Sequence, residues 1–366
     1  MNTRRDFLKK MTAASIMLPL ISDNTVFNQS PLEDKHLRVA IIGLGSYATR
    51  VANAMKTCTK AKLVGAVSGT PSKLDKWVTD YGISKENCYN YSNFDKIIDN
   101  PNIDLVYITL PNSMHHEFTL RAAKAGKHVL CEKPMSVSVK EAEAMIAACE
   151  KAKVKLYIGY RLHFEPFTQE LIRLRTSGEL GKIMFVNTAI GFKIGDPTQW
   201  RLKRALAGGG AMMDVGVYCI NGARYGTGED PIWVSGTETK TDLVKFKEVD
   251  ETITWQMGFP SGIVANCATT YNFNSPEMLR ISGDKGFAEL APCYGYGPLK
   301  GYTNKGPIDQ PVVTHQTLQM DGIADCILNN KPDPKMDGQE GLKDMKIIEA
   351  IFKSVAQKGA KVMVKY

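Results

Sequence analysis

The sequence predicts a chain of two halves, a doubly wound parallel α/β domain over residues 37–160 and an α+β domain over residues 161–366. Three observations lead to this prediction. A glycine-rich turn follows the first apolar run, β-branched runs alternate with amphipathic helical stretches up to about residue 160, and strand-like segments joined by turn residues dominate afterwards. Alternating strands and helices are typical of a parallel sheet covered on both faces, whereas successive strands are typical of an antiparallel sheet.

Composition excludes several classes of protein. Hydrophobic residues make up 43% of the 366 residues, which is enough for two packed domains. The formal charge of +8 falls to +5 when the first 21 residues are set aside, and no basic cluster interleaved with aromatic residues indicates a nucleic-acid partner. After the N-terminus no apolar run reaches the length of a membrane span, so stable membrane insertion is not expected.

The eight cysteines give no framework of their own. They are scattered without a C-x-x-C pair or a histidine-rich neighbourhood, so no metal site is predicted. Buried free thiols are the simplest interpretation. A disulfide stays open because the N-terminus indicates export, but the spacing favours no particular pair.

The first 21 residues have the pattern of an export signal. Residues 3–9 read TRRDFLK, which resembles the twin-arginine motif, and an apolar stretch from Met11 to Ile21 follows. We therefore expect residues 1–21 to be a signal and residues 22–36 to be an N-terminal arm. The expected location is periplasmic or otherwise exported, and it is cytoplasmic if the leader is not functional.

The segment LRVAII and the GLGSYA that follows at residues 43–48 have the pattern of a dinucleotide-binding turn. A helix to about Lys56 and a second apolar strand, KLVGAV, complete the strand, turn, helix and strand in which G-x-G-x-x-A is meaningful. Gly43 allows the tight turn, Gly45 lets the backbone approach a pyrophosphate, and Ala48 keeps the helix close to the sheet. Because the N-terminus of that helix favours negative charge, we expect a Rossmann domain that binds a nicotinamide dinucleotide.

The end of the second strand indicates which dinucleotide is bound. An NAD-binding chain usually has Asp or Glu there for the ribose hydroxyls, but this sequence has Ser68. A carboxylate would repel a 2′-phosphate, whereas the Ser68 hydroxyl and the cation of Lys73 can accept one. NADP is therefore predicted rather than NAD.

The alternation of strands and helices continues to the end of the first half. CYNYSNFDKIIDNPN predicts a short strand and a helix, IDLVYITLPNSMHHEFTLRAAKAGKHVLCEKP predicts strand, helix and strand, and SVKEAEAMIAACEKAK predicts a helix before a strand in VKLYIGY. Loops at the carboxyl ends of parallel strands line the ligand crevice. We therefore expect the loops at residues 111–112 and 132–134 to line the cofactor site.

The second half has strand-like segments in GKIMFVNTAIGF, PIWVSGTETK, ETITWQMGFPSGIVANCATTYNF and EMLRISGDKGFAEL. They indicate a large, mostly antiparallel, open-faced sheet with helices against its other face. LQMDGIADCILNN and EGLKDMKIIEAIFKSVAQKG predict late helices, which can pack back on the Rossmann domain.

The stretch LAGGGAMMDVGVYCINGARY contains candidate catalytic residues. Asp214 and Tyr218 are four residues apart, so on an α-helix they share a face. A phenol is a poor base at neutral pH, but a nearby ammonium such as Lys133 stabilises the phenolate. A tyrosine–lysine pair beside a nicotinamide can take the proton of an alcohol while hydride leaves its carbon. Two structural interpretations stay open: Tyr218 as a tyrosine packed at a domain boundary, and Asp214 as a helix N-cap.

Seven segments together resemble the Gfo/Idh/MocA family of oxidoreductases. They are GLGSYA, VSGTPSK, YNYSNFDKI, LPNSMHHEF, AGKHVLCEKPM, IGYRLHFEP and QWRLKRALAGGGAMMDVGVYCINGARY, and they lie between residue 37 and about residue 290. The last and longest block is the most specific. Much of the family has histidine at the position of Tyr218, so the tyrosine is typical of the branch that contains glucose–fructose oxidoreductase and the dihydrodiol and xylose dehydrogenases.

The resemblance implies a role for each matching residue. Lys133, in the family's E-K-P motif, would bind beside the nicotinamide, Tyr218 would be the acid/base, and Asp214 would orient the sugar or that tyrosine. The other residues implied in cofactor binding are Gly43, Gly45, Ser46, Tyr47, Ala48, Ser68, Gly69, Lys73, Tyr91, Leu110, Pro111, Asn112, His115, Glu132, Arg161, Trp200 and Arg201. Among them, Ser68, Lys73 and Tyr91 fall where that branch holds the 2′-phosphate end.

The resemblance and the leader together predict an exported sugar oxidoreductase with tightly bound NADP. An aldose is oxidised at C1 to the lactone, and a ketose is then reduced to the polyol in the same site. Alternatives are a conventional NADP-dependent aldose or trans-dihydrodiol dehydrogenase with exchangeable cofactor, and a non-catalytic sugar-binding protein that retains NADP. The segment between the leader and Leu37 is shorter than the N-terminal arm that encloses the cofactor in that branch of the family. The resemblance also implies a homodimer or homotetramer formed through the sheet of the second half.

Overall fold

The computed structural model describes residues 35–366. The export signal predicted over residues 1–21 and nearly all of the arm predicted over residues 22–36 lie outside the described residues. None of the helices in the described part is both long and apolar enough to cross a membrane.

A six-stranded parallel sheet in the order β3-β2-β1-β4-β5-β6 forms the first half. Its strands are β1 (Leu37–Ile42), β2 (Ala61–Val67), β3 (Cys88–Tyr89), β4 (Leu105–Ile108), β5 (His128–Cys131) and β6 (Leu156–Ile158). This is the strand order of the dinucleotide-binding fold, so the predicted Rossmann architecture is confirmed. The central strands are buried on both faces, which explains why a run such as LRVAII is continuously apolar.

Helices cover both faces of this sheet. They are α1 (Ser46–Met55), α2 (Pro71–Tyr81), α3 (His115–Lys124) and α4 (Val139–Lys151), and the predicted helix after β3 is a 3-10 helix over Phe94–Asp99. The apolar side chains of α1 belong to one buried cluster, and those of α3 and α4 belong to a second cluster that continues into the other half. The strand order reverses between β1 and β4, so the ligand crevice of such a sheet opens at their carboxyl ends.

A nine-stranded sheet in the order β14-β13-β12-β11-β7-β10-β9-β8-β15 forms the second half. Its strands are β7 (Ile183–Gly191), β8 (Trp233–Thr239), β9 (Thr252–Gly258), β10 (Val264–Thr270), β11 (Ser275–Gly283), β12 (Phe287–Leu290), β13 (Gly301–Thr303), β14 (Gly306–Ile308) and β15 (Val362–Met363). β7 and β10 run parallel, whereas the other neighbouring pairs are antiparallel. The predicted, mostly antiparallel sheet is therefore confirmed.

The later helices connect the two halves. They are α5 (Pro166–Thr176), α6 (Arg204–Ala207), α7 (Val217–Thr227), α8 (His315–Leu328) and α9 (Gly338–Ala356). α7 packs on β7, β10 and β11, so it fills the centre of the second half. α9 lies against α4 and β6 as well as β8, and α8 packs on α1. Both late helices thus contact the Rossmann half.

The helix with the candidate catalytic residues differs from the prediction. A π-helix over Met212–Gly216 precedes α7, so Asp214 and Tyr218 do not lie on one continuous α-helix. The wider i→i+5 turn changes which side chains share a face. Asp250 holds the start of this segment, since its carboxylate accepts the backbone N–H of Gly210 at 2.6 Å and that of Met212 at 2.8 Å. Asp214 is inside the helix, which excludes its interpretation as an N-cap.

Candidate active site

The turn after β1 has the geometry of a phosphate-binding turn. Gly43 has a φ of +94°, and a Cβ there would lie 2.9 Å from the carbonyl oxygen of Thr109, so a side chain is not accommodated. A Cβ at Gly45 would meet only the Gly43 carbonyl oxygen, at 4.0 Å, and would project into open space. Gly45 is the N-cap residue of α1, and no side chain in the described part of the chain caps that helix. The exposed N-terminus at Gly45 and Ser46 can therefore receive an anion.

Neighbours of this turn fix the distance between helix and sheet. Ala48 is 1% exposed and packs in the buried cluster beneath α1, where a larger side chain would push the helix away. The half-buried ring of Tyr47 lies 6.1 Å, centroid to centroid, from the ring of Tyr296. The glycine turn thus faces a loop of the second half.

The carboxyl end of β2 collects the residues expected at the adenosine phosphate. Ser68 is 3% exposed, and its hydroxyl accepts the backbone N–H of Thr70 at 3.1 Å. The ring of Tyr91 lies against Gly69, where a Cβ would be 2.9 Å from Cε2. Lys73 is exposed in the first turn of α2, which contains no acidic residue. This cationic edge without a carboxylate fits a 2′-phosphate.

The loop after β4 is braced by its own side chains. Leu110 packs against the space that a Cβ at residue 43 would occupy. Pro111 precedes a 3-10 turn over Asn112–Met114. The amide of Asn112 donates to the carbonyl oxygen of Ala207 at 2.9 Å. The side chain of Asn112 is therefore used to connect the two halves.

His115 has the same bracing function. It is 1% exposed, and its Nδ1 and Nε2 lie 3.0 Å and 2.9 Å from the carbonyl oxygens of Pro134 and Leu110. Burial lowers the pKa of His115, although its hydrogen bonds to the Leu110 and Pro134 carbonyl oxygens oppose this effect. The imidazole connects the loops after β4 and β5, and it is the backbone of these loops that lines the crevice.

Glu132 lies under the crevice in a buried hydrogen-bond chain. Its Oε1 accepts the hydroxyl of Tyr107, and that hydroxyl accepts the side-chain amide of Gln319 at 2.9 Å. Burial raises the pKa of the Glu132 carboxyl, although Tyr107 and Lys133 oppose this effect. The chain ties β4, β5 and α8 together directly beside Lys133.

Lys133 and Asp214 are brought together although 81 residues separate them. Lys133 Nζ donates to the backbone oxygen of Asp214 at 2.5 Å and lies 3.3 Å from its Oδ1. Oδ2 of Asp214 accepts the Tyr271 hydroxyl at 2.6 Å and Arg201 Nε at 2.9 Å. Burial alone would raise the pKa of Asp214, but the cations of Lys133 and Arg201 hold it well below its usual range. The charged carboxylate thus fixes two cations.

Trp200 continues this group at the edge of the site. It begins the 3-10 helix Trp200–Leu202, and its ring centroid lies 4.6 Å from Cζ of Arg201. A guanidinium over an aromatic face is favourable, so the indole orients the arginine that pairs with Asp214.

Tyr218 is 8% exposed and has cations at two positions around it. Lys133 Nζ lies 4.6 Å from the ring centroid, and Arg161 Nη2 lies 3.3 Å from the hydroxyl oxygen. The ring of Tyr294 stacks on Tyr218, with centroids 5.7 Å apart and an interplanar angle of 20°. In the described structure the Tyr218 hydroxyl makes no hydrogen bond to Asp214. The lysine therefore faces the ring, and the arginine reaches the oxygen.

Four residues of this site were missed by the sequence analysis: Tyr271, Tyr294, Tyr296 and His315. Arg161 Cζ lies 4.4 Å from the ring centroid of Tyr296, and Arg50 Cζ of α1 lies 4.3 Å from it. Only the place of Tyr271 directly after β10 and the glycines on both sides of Tyr296 could have drawn attention to them.

The described histidine, cysteine and acidic side chains form neither a metal-binding group nor a disulfide. Within residues 35–366, no three His, Cys, Asp or Glu side chains are grouped to hold a metal ion. All eight cysteines are free thiols, and six of them are buried. The described site has an uncapped helix N-terminus along one edge and, along the other, a tyrosine with two cations beside it.

Two family models match the chain. The oxidoreductase family with an NAD-binding Rossmann fold, GFO/IDH/MocA, matches residues 37–160, and the GFO/IDH/MocA C-terminal domain matches residues 168–289. A curated relative, the NADP(+) D-xylose 1-dehydrogenase of Haloarcula marismortui, is 29% identical over 91% of this chain and 94% of its own. The trans-1,2-dihydrobenzene-1,2-diol dehydrogenase of Mus musculus is 22% identical over 85% of this chain and 91% of its own.

Solved structures share the fold over the same length. The aldose-aldose oxidoreductase of Caulobacter crescentus is 45% identical, with a TM-score of 0.87 over 90% of this chain and 100% of its own. A levoglucosan dehydrogenase superposes with a TM-score of 0.77 at 21% identity, over 90% of this chain and 99% of its own. The chain belongs to the GFO/IDH/MocA family of oxidoreductases, as its segments from GLGSYA to NGARY predicted.

Proposed function

We propose that this protein is an NADP-dependent sugar oxidoreductase that oxidises an aldose at C1 to the lactone and reduces a ketose to the polyol in the same site. The observation behind this proposal is the convergence of Lys133, Arg161 and Tyr218 at the carboxyl edge of a dinucleotide-binding sheet. The 45% identical aldose-aldose oxidoreductase and the NADP-dependent xylose dehydrogenase support sugars as the substrate class.

The residues present fit NADP. The open N-terminus of α1 at Gly45 and Ser46 would hold the pyrophosphate, and the edge formed by Ser68 and Lys73 would hold the 2′-phosphate. When bound, the nicotinamide supplies the hydride acceptor for one substrate and the hydride donor for the next.

Tyr218 is the acid/base of the proposed reaction. Its phenolate takes the proton of the aldose C1 hydroxyl in the first half-reaction, and its hydroxyl returns that proton to the ketose carbonyl oxygen in the second. Arg161, at 3.3 Å, and Lys133, beside the ring, stabilise the phenolate. Asp214 holds Lys133 in place, because both of its carboxylate oxygens are engaged with neighbouring donors.

Tight NADP binding and export belong to the same proposal. The leader at residues 3–21 would export the folded protein from the cytoplasm, and it is in the cytoplasm that NADPH is regenerated. An exported enzyme turns over only if a second substrate reoxidises the cofactor that it carries. Two substrates sharing one site in a ping-pong sequence meet that requirement.

The test is a spectrum of the purified and extensively dialysed protein, recorded before and after glucose is added and again after fructose is added. We expect nicotinamide to survive dialysis, to become reduced with glucose and to be reoxidised with fructose. A protein that stays spectrally unchanged with any aldose contradicts the proposal.

A conventional NADP-dependent aldose dehydrogenase is the second candidate. It is favoured by the xylose dehydrogenase relative, which aligns over nearly its whole length. The same experiment separates the two functions, since a conventional enzyme emerges empty from dialysis and reduces added NADP⁺ without needing a ketose.

We also propose that the protein forms a homodimer or homotetramer through the open face of the second sheet. Half-exposed and exposed side chains of β9 and β10, such as Gln256 and Asn266, lie on that face, which has a shallow hollow of about 610 Å³. Light scattering of the full chain tests this, with a monomer at micromolar concentration as the contrary result.

A further inference from the structure

A buried cation that has no carboxylate partner among the described residues lies next to Tyr218. Arg161 is 1% exposed, and in the described structure its guanidinium donates to the carbonyl oxygens of Tyr294 and Gly295, to the Tyr218 hydroxyl and to Nδ1 of His315. Its Nε has no hydrogen-bond partner among the described residues. A charge removed from water in this way depends on its neutral acceptors for both solvation and direction.

Two described side chains accept hydrogen bonds from Arg161, and one of them, His315, has no part in the proposed chemistry. It is 3% exposed, begins α8 and places Nδ1 2.7 Å from Arg161 Nη1. A guanidinium has only donors, so Nδ1 is the acceptor and the ring proton is on Nε2. Burial and the Arg161 charge lower the pKa of His315 to about 4, so the imidazole is neutral at neutral pH.

The contacts of Arg161 place it between His315 and Tyr218. Nη1 donates to His315 at 2.7 Å, while Nη2 lies 3.3 Å from the Tyr218 oxygen. The guanidinium is planar and rigid, so fixing one nitrogen sets the direction of the other. Without the His315 acceptor, the one acceptor left to Nη1 among residues 35–366 is the Gly295 carbonyl oxygen at 3.1 Å, which belongs to a loop with glycine at residues 295 and 297.

We propose that His315 is a positioning residue of the active site, whose neutral imidazole fixes the Arg161 guanidinium against the hydroxyl of Tyr218. This inference rests on the proposed function, because it assumes that the Tyr218 phenolate is the base. Among the described residues, the charged and titratable groups around Tyr218 and His315 include Tyr47, Glu132, Lys133, Arg161, Tyr294 and Tyr296, and Tyr160, Tyr225 and Cys293 line the same cavity as Tyr218. Arg161 hydrogen-bonds to both residues, so it is the path by which His315 acts.

The experiment compares two substitutions in the full-length protein. His315→Phe keeps a planar ring but removes the acceptor, whereas His315→Asn keeps an acceptor oxygen near the position of Nδ1. His128→Phe is the matched control, because His128 Nδ1 also accepts a hydrogen bond, from Lys155 N at 3.0 Å, but at the start of β5, away from the carboxyl edge. If His315→Phe does not fold, His315→Leu replaces it.

Two readouts are used. The first is the pH profile of kcat for aldose oxidation, which should rise with pH as the base loses its proton. We expect His315→Phe to move this rising limb to higher pH by about one pH unit and to lower kcat at neutral pH about tenfold. The second is the ultraviolet phenolate titration, with Tyr218→Phe subtracted to isolate Tyr218, in which the same upward movement is expected. His315→Asn and the His128→Phe control should stay close to the parent in both.

Each result decides the inference. A pH profile and a phenolate titration of His315→Phe that match the parent overturn it, and so does an Asn variant that behaves like the Phe variant. A parent that oxidises no aldose contradicts the proposed function instead. The phenolate titration then still reports whether His315 acts on Tyr218, because it needs no substrate.

Discussion

The two edges of the candidate site are built in different ways. The nucleotide edge is mainly backbone, since the turn of residues 43–48 presents a helix N-terminus and a glycine whose Cβ direction is open. The proton-transfer edge is made of side chains from distant segments: Lys133 after β5, Arg161 after β6, Tyr218 on α7 and His315 on α8. A few consecutive residues suffice for phosphate binding, whereas control of a proton needs charges that only the fold brings together.

The edges also differ in how they balance charge. The nucleotide edge offers amides and the exposed cation of Lys73, so it is incomplete without an anion. The proton-transfer edge contains its own anion, Asp214, which is held charged by Lys133 and Arg201. Substitutions at the first edge should therefore change ligand affinity, and substitutions at the second should change rate and stability.

The largest effect is expected for Tyr218→Phe. The variant keeps the ring that stacks on Tyr294 but loses the hydroxyl, so single-turnover reduction of bound or added NADP⁺ by an aldose should slow about 10²- to 10⁴-fold. NADP affinity and the thermal midpoint should change little. Activity equal to that of the parent would mean that another residue is the acid/base. The comparison between a nucleotide edge and a proton-transfer edge at Tyr218 would then fail.

Asp214→Asn tests the internal charge balance. It leaves Lys133 and Arg201 without their carboxylate and should lower the free energy of unfolding by about 3 kcal/mol at neutral pH. Because the pKa of Asp214 is lowered in the folded protein, its stabilisation is present above the ordinary carboxyl pKa and is lost as pH falls.

The measurement for Asp214→Asn is denaturant unfolding of parent and variant from neutral to acid pH. The gap between them should be widest near neutral pH and should narrow below about pH 4. A gap that is constant over this range would mean that the carboxylate does not act through its charge.

A pair of glycine substitutions separates the effect on stability from the effect on NADP binding at the nucleotide edge. Gly43→Ala forces a Cβ into a left-handed conformation against Thr109 and should cost about 1–3 kcal/mol of stability. Gly45→Ala has an extended backbone and open space, so it should change stability by less than about 1 kcal/mol while weakening NADP binding at least about tenfold. Thermal unfolding and NADP titration measure both; equal destabilisation by the two variants would contradict the assignment.

The smallest effects are expected at the 2′-phosphate edge. Ser68→Asp introduces a carboxylate where NAD-binding chains have one and should lower the NADP-to-NAD affinity ratio about tenfold. Lys73→Ala removes an exposed cation and should lower the same ratio by only about threefold, because solvent screens that charge. Titration with both dinucleotides decides this, and an unchanged ratio in Ser68→Asp would move the 2′-phosphate away from β2.

Much of the nucleotide half could be predicted because its signals are local. The run LRVAII, the GLGSYA turn and the alternation up to β6 follow from residues a few positions apart, and the structure has them where the sequence indicates. The same local reasoning was wrong about the helix through Asp214 and Tyr218. There the distant carboxylate of Asp250 binds the first amides, and a π-helix replaces the regular turn.

By itself, the sequence determined the doubly wound parallel architecture of the Rossmann half, the mostly antiparallel second sheet, the family and the presence of Lys133 and Tyr218 as a candidate pair. Only the tertiary structure decided that Lys133 faces the ring of Tyr218, that Arg161 reaches its oxygen, and that Tyr271, Tyr296 and His315 complete the site. The physical reason is the separation, along the chain, of the residues that interact. Backbone geometry and hydrophobic period are set by near neighbours in the chain, whereas the direction of a buried charge is set by acceptors that come from anywhere in it.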